Sequence, residues 1–166
     1  MIKNNYKLLL NMKTIIKTII CATLILLPHY GFSQATDIDV KGIIIGDAYT
    51  KAQVQAKWGT PTQYRSNMSE FGLDEVYDYS TNQFCFGDNG ILNSFYINTP
   101  DFPVFTAYSG GVKVGDTLSR ISTIGLGIPV LQSDGSYYLF RNGWDDPVVF
   151  KHSNGVITQI SFTTSI

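Results

Sequence analysis

The sequence predicts an α+β protein of two tandem repeats, each a short helix packed on an antiparallel sheet of about four strands. Three observations predict this fold. A set of glycine, proline and aromatic landmarks occurs twice in the same order, two short segments carry helix start and stop signals, and two Asn-Gly turns separate apolar stretches. The 166 residues suit one or two small domains, and 44% hydrophobic residues suffice for a core.

Residues 1–33 are predicted to be a signal peptide. Basic residues lead into an apolar run, Thr18–Leu27, which Pro28 ends, and small residues then favour cleavage after Ser33 or Gln34. A membrane anchor is the alternative, but the run is shorter than the ~20 residues that cross a bilayer. We therefore expect an exported protein, periplasmic or secreted, with no stable membrane insertion after cleavage.

The two cysteines predict neither a lipid anchor nor a disulfide. Cys21 follows Thr-Ile-Ile rather than the Leu-like and small residues of a lipobox, so we expect no lipidation. Once Cys21 is removed with the signal, no intramolecular disulfide is possible. Cys85 lies between two phenylalanines and is predicted to be a small buried hydrophobe rather than a reactive thiol.

The charges are unevenly distributed. Four lysines precede residue 33, and every acidic residue lies at or beyond Asp37. The remainder has eight basic residues against thirteen acidic ones and no basic cluster. This balance excludes nucleic acid and anionic membrane surfaces as expected partners.

The repeats are predicted over residues 42–100 and 111–166, with residues 101–110 as a connector. They share opening glycines, glycine–proline helix ends, paired aromatics and Asn-Gly turns. In order, these landmarks are Gly46 and Gly115, Gly59-Thr-Pro61 and Gly127-Ile-Pro129, Tyr77-Asp-Tyr79 and Tyr138-Leu-Phe140, and Asn89-Gly90 and Asn154-Gly155.

The first helix has clear end signals. Thr50 is the predicted N-cap, and Gln53 completes a capping box. Val54 and Trp58 lie one turn apart on the same face, and Gly59 is predicted as a left-handed C-cap.

The second helix is predicted from a parallel pattern. Thr117 is the expected N-cap, Ile121 and Ile124 share a face, and Gly125 and Gly127 end the helix. Both helices are short, so each must lie on an apolar surface.

The sheet is predicted from the Asn-Gly turns, whose central residues suit a hairpin. First strands are expected at residues 63–67 and 130–133. Strict alternation after each turn predicts an apolar face and a mixed face. The apolar face would hold Ile91, Phe95, Ile97, Val156, Ile160 and Phe162, and the mixed face Leu92, Ser94, Tyr96, Ile157, Gln159 and Ser161.

The landmarks resemble the SmpA/OmlA family of small outer-membrane-assembly lipoproteins, and their duplication is similar to β-lactamase inhibitor proteins, in which two such units place their sheets side by side. The matching residues are Gly46, Thr50, Val54, Gly59 and Pro61, then Gly115, Thr117, Ile121, Gly127 and Pro129. The resemblance implies the tandem fold over about residues 42–166. The lipid-bearing cysteine of the first family and the disulfides of the second have no counterpart here.

The residues predict no catalytic site, metal site or cofactor. His152 is the only histidine beyond the signal and is expected as an exposed turn residue. No nucleophile elbow accompanies it, and Asp88 and Asp145-Asp146 lack the ligand spacing of a calcium loop. We therefore expect a protein that is not an enzyme.

Aromatic residues make up 13% of the chain and supply the candidate partner-binding residues. These are Trp144, in a polar loop and the expected anchor, Tyr96, on the mixed sheet face, and Phe102, Phe105 and Tyr108 of the connector. Exposed tyrosine and tryptophan are favoured interface anchors. The predicted function is a binding or inhibitory module that contacts another envelope or secreted protein. The alternative is a small-ligand or glycan binder that stacks its ligand on Tyr96 and Trp144.

Overall fold

The computed structural model describes residues 38–66, 75–108, 110–125, 127–140 and 145–164. These residues belong to one unit, Thr36–Ile166. The helices within them are α1 (Lys51–Trp58) and α2 (Arg120–Thr123). The strands are β1 (Asp39–Val40), β2 (Ile43–Ile44), β3 (Gln63–Ser66), β4 (Glu75–Tyr79), β5 (Asn82–Phe86), β6 (Leu92–Ile97), β7 (Val130–Leu131), β8 (Tyr137–Leu139), β9 (Val148–Ser153) and β10 (Val156–Thr163).

Strands β3 to β10 form one antiparallel sheet of eight strands in the order β3-β4-β5-β6-β10-β9-β8-β7. Within β3–β6 and within β7–β10, each strand pairs with the next one along the chain, as in successive hairpins. The two sets meet where β6 pairs with β10, with Phe95 opposite Phe162 and Ile97 opposite Ile160. A separate two-stranded sheet, β1-β2, was not predicted.

The predicted fold class, two repeats that each pack a helix on their own sheet, is wrong. The described chain is mainly β, with the eight strands continuous through the β6–β10 ladder. Only α1, with eight residues, is a described helix of more than one turn, and α2 has four. The second half is therefore sheet with a single helical turn beside it.

Helix α1 forms as its end signals predict. Gln53 N–H donates to Thr50 Oγ1 (3.3 Å), and Thr50 N–H donates to Gln53 Oε1 (2.8 Å), which confirms the capping box. Val54 and Trp58 are its buried residues. Gly59 has the positive φ that was expected (87°), but its ψ of −172° is extended rather than left-handed helical. That combination is nearly exclusive to glycine.

Helix α2 departs from prediction at its start. Its N-cap is Ser119 rather than Thr117, and the Ser119 side chain makes no capping bond. Ile121 and Ile124 are both buried, as their spacing predicts. Gly125 and Gly127 have φ values of 74° and 145°, which stop the helix soon after it begins.

Two β-bulges overturn part of the predicted alternation. On β6 the pairing shifts between Ser94 and Leu92, the partners of Cys85 and Phe86 on β5. On β10 it shifts between Ile157 and Gln159. An extra residue in one strand reverses the side on which earlier residues point. Leu92 and Ile157, which were assigned to the mixed face, are therefore buried in the core, and Val156 is 40% exposed.

The core lies on the sheet face that α1 covers, here called the inner face. Trp58 packs within 4.5 Å of Phe84 and 5.4 Å of Phe102, measured between ring centroids. Trp58 Nε1 donates to the carbonyl of Lys41 (3.3 Å). Phe95, Ile97, Ile160 and Phe162 are buried on this face, as predicted.

No described helix is both long and apolar enough to cross a membrane.

Candidate binding surface

The opposite face of the sheet, here called the outer face, carries a row of residues that crosses all eight strands. Each member pairs directly with the next in the antiparallel ladders. With strands about 4.8 Å apart, the row is about 34 Å long. From β3 to β7 its members are Gln63, Asp78, Gln83, Tyr96, Ser161, Val149, Tyr138 and Val130.

The β3–β5 end of this row is polar and internally bonded. Arg65 Nη2 lies 2.9 Å from Asp78 Oδ2 and forms an ion pair with it. Gln83 Nε2 donates to the other oxygen of Asp78 (3.1 Å). Because Asp78 is bonded on both oxygens, this end offers few free polar groups to a partner.

The β6–β7 end is apolar and accessible. Tyr96 is 42% exposed, Val130 47% and Phe140 43%, while Val149 and Tyr138 are half-buried. Phe140 lies two residues beyond Tyr138, and their ring centroids are 6.1 Å apart. These five residues, Tyr96, Val130, Tyr138, Phe140 and Val149, are called the outer patch below.

Tyr96 occupies the position that the sequence predicted for it. Its ring projects from the outer face, and its hydroxyl lies 3.5 Å from Thr163 Oγ1, which is long for a hydrogen bond between hydroxyls. The neighbouring Ser161 and Ser94 are small. An accessible ring among small side chains suits a contact surface rather than a core.

The connector residues lie elsewhere. Phe102 and Phe105 are buried in the core, which corrects their assignment to a binding surface, and Tyr108 is half-buried against that core. Trp144 lies outside the described residues. Of the predicted partner-binding residues that the structure describes, Tyr96 alone is exposed on a sheet face.

Asp39 explains why the connector is buried. Its carboxylate accepts a hydrogen bond from Thr106 Oγ1 and another from the Ala107 N–H (3.2 Å). Its backbone carbonyl accepts from the N–H of Phe105 (2.7 Å). Burial raises the pKa of Asp39 above 3.8, an effect that these hydrogen bonds partly offset. The connector is thus held to β1, and its aromatic side chains turn inward.

Sequence reasoning missed four members of the outer patch: Val130, Tyr138, Phe140 and Val149. The signal was present in Tyr138-Leu139-Phe140, where two aromatics flank a leucine. Because Leu139 is fully buried, alternation places both aromatics on the other face. As a landmark of the repeat, this motif carries no information about which sheet face its aromatic side chains occupy.

A polar groove of about 490 Å³ lies between the start of α1, Glu75 and the Gly87–Gly90 turn. The Glu75 carboxylate, on one side of the groove, accepts hydrogen bonds from Tyr64 Oη (2.5 Å) and Tyr77 Oη (2.6 Å). Burial and these bonds raise the pKa of Tyr64 to about 12 and that of Tyr77 further. Both phenols therefore remain protonated donors at neutral pH. Lys51 Nζ lies 3.3 Å from the centroid of the Tyr64 ring.

The remaining candidate groups are buried or dispersed. Cys85 is buried, and burial raises the pKa of its thiol, so it remains protonated at neutral pH. His152 is a half-buried residue of β9 rather than an exposed turn residue, with its ring 5.7 Å from that of Tyr137. Among the described residues, no three His, Cys, Asp or Glu side chains are grouped to hold a metal.

Comparison with known proteins gives one structural likeness. No protein-family model and no curated protein sequence matches the chain. Among solved structures, the chain is similar to an extracellular protein containing a SCP domain from Bacillus anthracis str. Ames, with 12% identity and a TM-score of 0.41. The match covers 74% of this chain and 44% of that one, so the chain spans less than half the length of that structure.

Proposed function

We propose that this protein is an exported, non-enzymatic binding or inhibitory module that holds another envelope or secreted protein through its outer face. The observation that carries the proposal is the outer patch, where exposed aromatic and aliphatic side chains share one sheet face. The patch crosses five adjacent strands, from β6 to β7, over about 19 Å of an open and shallow sheet face. Protein interfaces have that shape, whereas small ligands are enclosed in deep pockets.

The composition of the patch supports a protein partner. Tyr and Phe contribute large contact areas and are enriched in the centres of protein interfaces. In the described part of the chain, Lys151 is the only formally charged residue that β7–β10 place on the outer face. Contact there would bury little charge. Trp144, four residues after Phe140 in the sequence and outside the described residues, belongs to the same proposal as an additional anchor.

Capture from the envelope fraction of the native organism tests this proposal. A photoactivatable aromatic residue replaces Tyr138, and adducts are identified after irradiation. Tyr138→Ser and Tyr96→Ala in this protein should each weaken its affinity for the captured partner about thirtyfold, the effect of losing an interface anchor.

The matched control is Val156→Ser. Val156 is 40% exposed, comparable with Tyr96, but lies at the β9–β10 turn and outside the patch. If loss of apolar area alone weakened capture, Val156→Ser would lower the affinity as much as Tyr96→Ala does. An unchanged affinity in Tyr96→Ala and Tyr138→Ser would reject the outer patch as the binding surface.

A small-ligand or glycan binder remains the second candidate, favoured by the polar groove beside Glu75. Glu75, Asp88 and Lys51 converge there, as polar groups do in ligand sites. A glycan array tests this candidate directly. Binding that is lost in Glu75→Gln but kept in Tyr138→Ser would assign function to the groove instead of the patch.

The proposed export has its own test. Mass spectrometry of the natural protein should show an N-terminus near Gln34 or Ala35 and no lipid. A diacylglycerol adduct on Cys21, or a retained apolar run, would contradict this part of the proposal.

A further inference from the structure

Two Asn-Gly turns of the large sheet lie in the described region: Asn89–Gly90 between β5 and β6, and Asn154–Gly155 between β9 and β10. The glycine carbonyl of each turn accepts one backbone hydrogen bond. The Gly90 carbonyl accepts from the N–H of Tyr49 (2.9 Å), and the Gly155 carbonyl from the N–H of Leu118 (2.8 Å). The groups that react in an Asn-Gly pair are held differently. We propose that Asn154–Gly155 is a site of spontaneous succinimide formation and deamidation in the folded protein, whereas Asn89–Gly90 is protected.

The chemistry needs only water as a co-reactant. The backbone nitrogen of Gly155 attacks Cγ of Asn154, so that an N–Cγ bond forms and the Cγ–Nδ2 bond breaks. The proton from the Gly155 N–H leaves with the side-chain amino group as ammonia. Water then opens the ring at either carbonyl, adding hydroxyl to the carbon and hydrogen to the nitrogen. The product is aspartate or isoaspartate at position 154.

Both reacting groups are free at the second turn. Asn154 and Gly155 are exposed, and among the described residues neither the Asn154 side chain nor the Gly155 N–H makes a hydrogen bond. A Cβ placed on Gly155 would meet no atom within 4 Å, so the space around the turn is open. Asn154 itself has a φ of 50°, in the left-handed region that is costly for most residues but that asparagine adopts more readily.

At the first turn the same groups are occupied. The nucleophile, the Gly90 N–H, donates to the Gly87 carbonyl (2.9 Å). The Asn89 side-chain oxygen accepts from the Ile91 N–H (3.0 Å). Gly90 is also packed against Tyr49, because a Cβ on it would lie 2.5 Å from the Tyr49 carbonyl oxygen. Ring closure there requires two hydrogen bonds to break and a packed backbone to move.

Peptide mapping of the folded full chain tests the difference. The protein is held at mildly alkaline pH, sampled over time and digested with trypsin, which places Asn89, Asn142 and Asn154 on three different peptides. Asn142–Gly143, outside the described residues, is thus measured separately. Asn154 should deamidate about thirtyfold faster than Asn89, the factor expected for two hydrogen bonds of ordinary strength.

The matched control is the same chain in denaturant, where both sites are plain Asn-Gly sequences and their rates should become equal. Asn154→Ser should abolish the mass change on its peptide without altering the other two. Equal rates at Asn89 and Asn154 in the folded protein would overturn the proposal. It would also fail if Asn154 stayed intact in the folded chain while the denatured chain converted fully.

Discussion

The two halves of the large sheet, β3–β6 and β7–β10, follow the same hairpin order but differ in how their faces are covered. In the first half, α1 covers the inner face, and Trp58 lies within 6.2 Å of four aromatic rings. In the second half, α2 has only four residues, and a cleft of about 260 Å³ lies between it, Ile128-Pro129 and Tyr137 of β8. Among the described residues, helical cover of more than one turn is thus supplied to the first half alone.

The outer face shows the reverse contrast. In the first half, Asp78 bonds to both Arg65 and Gln83, and Val76 and Cys85 are buried. In the second half, Val130, Leu131 and Phe140 are exposed, and Tyr138 and Val149 are half-buried. Of the outer patch, only Tyr96 lies in the first half, whereas the other four members lie in the second. We therefore expect stability to depend mainly on the first half and binding mainly on the second.

The largest expected effect is that of Trp58→Ala. Removal of this indole leaves a cavity among aromatic rings and should cost about 4 kcal/mol of unfolding free energy. Ile124→Ala, its counterpart beside the second half, should cost about 2 kcal/mol because α2 is short and can settle onto the cleft. Urea unfolding followed by circular dichroism measures both. Equal losses would show that the halves are packed equally well.

The next effect compares the glycines of the two Asn-Gly turns. Gly90→Ala combines a positive φ of 73° with a contact of 2.5 Å to the Tyr49 carbonyl and should cost about 3 kcal/mol. Gly155→Ala has a similar φ of 75° but no near atom, so it should cost about 1 kcal/mol. Thermal unfolding of both variants gives the difference. If Gly155→Ala lost as much stability as Gly90→Ala, the close contact with the Tyr49 carbonyl would not be the cause of the Gly90→Ala effect.

Local signals account for the part of the fold that the sequence predicted correctly. The capping box of Thr50 and Gln53, the buried pair Val54 and Trp58, and the Asn-Gly hairpins depend on near neighbours. The length of α2 and the joining of β6 to β10 depend on distant packing, which periodicity does not report. The two bulges reversed the alternation because one extra residue changes the face of every residue before it.

The candidate site was predictable only in part, for the same reason. Tyr96 lies beyond the bulge of β6, so alternation assigned its face correctly. Phe102 and Phe105 lie in a loop without periodicity, and their burial depends on Asp39, more than sixty residues earlier in the chain. Tyr138 and Phe140 could have been assigned by alternation once Leu139 was recognised as core.

A smaller effect concerns the helix starts. Thr50→Ala removes one arm of the capping box and should cost about 1 kcal/mol. Ser119→Ala should change the unfolding free energy by less than about 0.5 kcal/mol, because Ser119 makes no capping bond. Chemical unfolding of the two variants measures this pair. A loss at Ser119 that matches the loss at Thr50 would indicate that α2 depends on its cap after all.

The smallest effect is the pH dependence of two carboxylates with opposite shifts. Burial raises the pKa of Asp39 above 3.8, so the native state binds its proton more tightly than the unfolded state. Its contribution to stability is therefore fully present below pH 3.8 and is lost as the pH rises through the native pKa. Hydrogen bonds from Ser136 lower the pKa of the exposed Asp134, so its contribution is present above pH 3.8 and is lost as the pH falls through its native pKa.

The asparagine variants separate these two contributions. The stability difference between the natural protein and Asp39→Asn should grow in favour of the natural protein as the pH falls from neutral towards 3.8. The corresponding difference for Asp134→Asn should shrink as the pH falls below 3.8. Urea midpoints across this pH range measure how each stability difference changes with pH. An amide in place of the Asp39 carboxylate would accept fewer of the hydrogen bonds from Thr106 and Ala107, but that loss is the same at every pH and leaves the slope unchanged. Slopes of the same sign would show that the buried carboxylate is stabilised in its charged form, as the exposed one is.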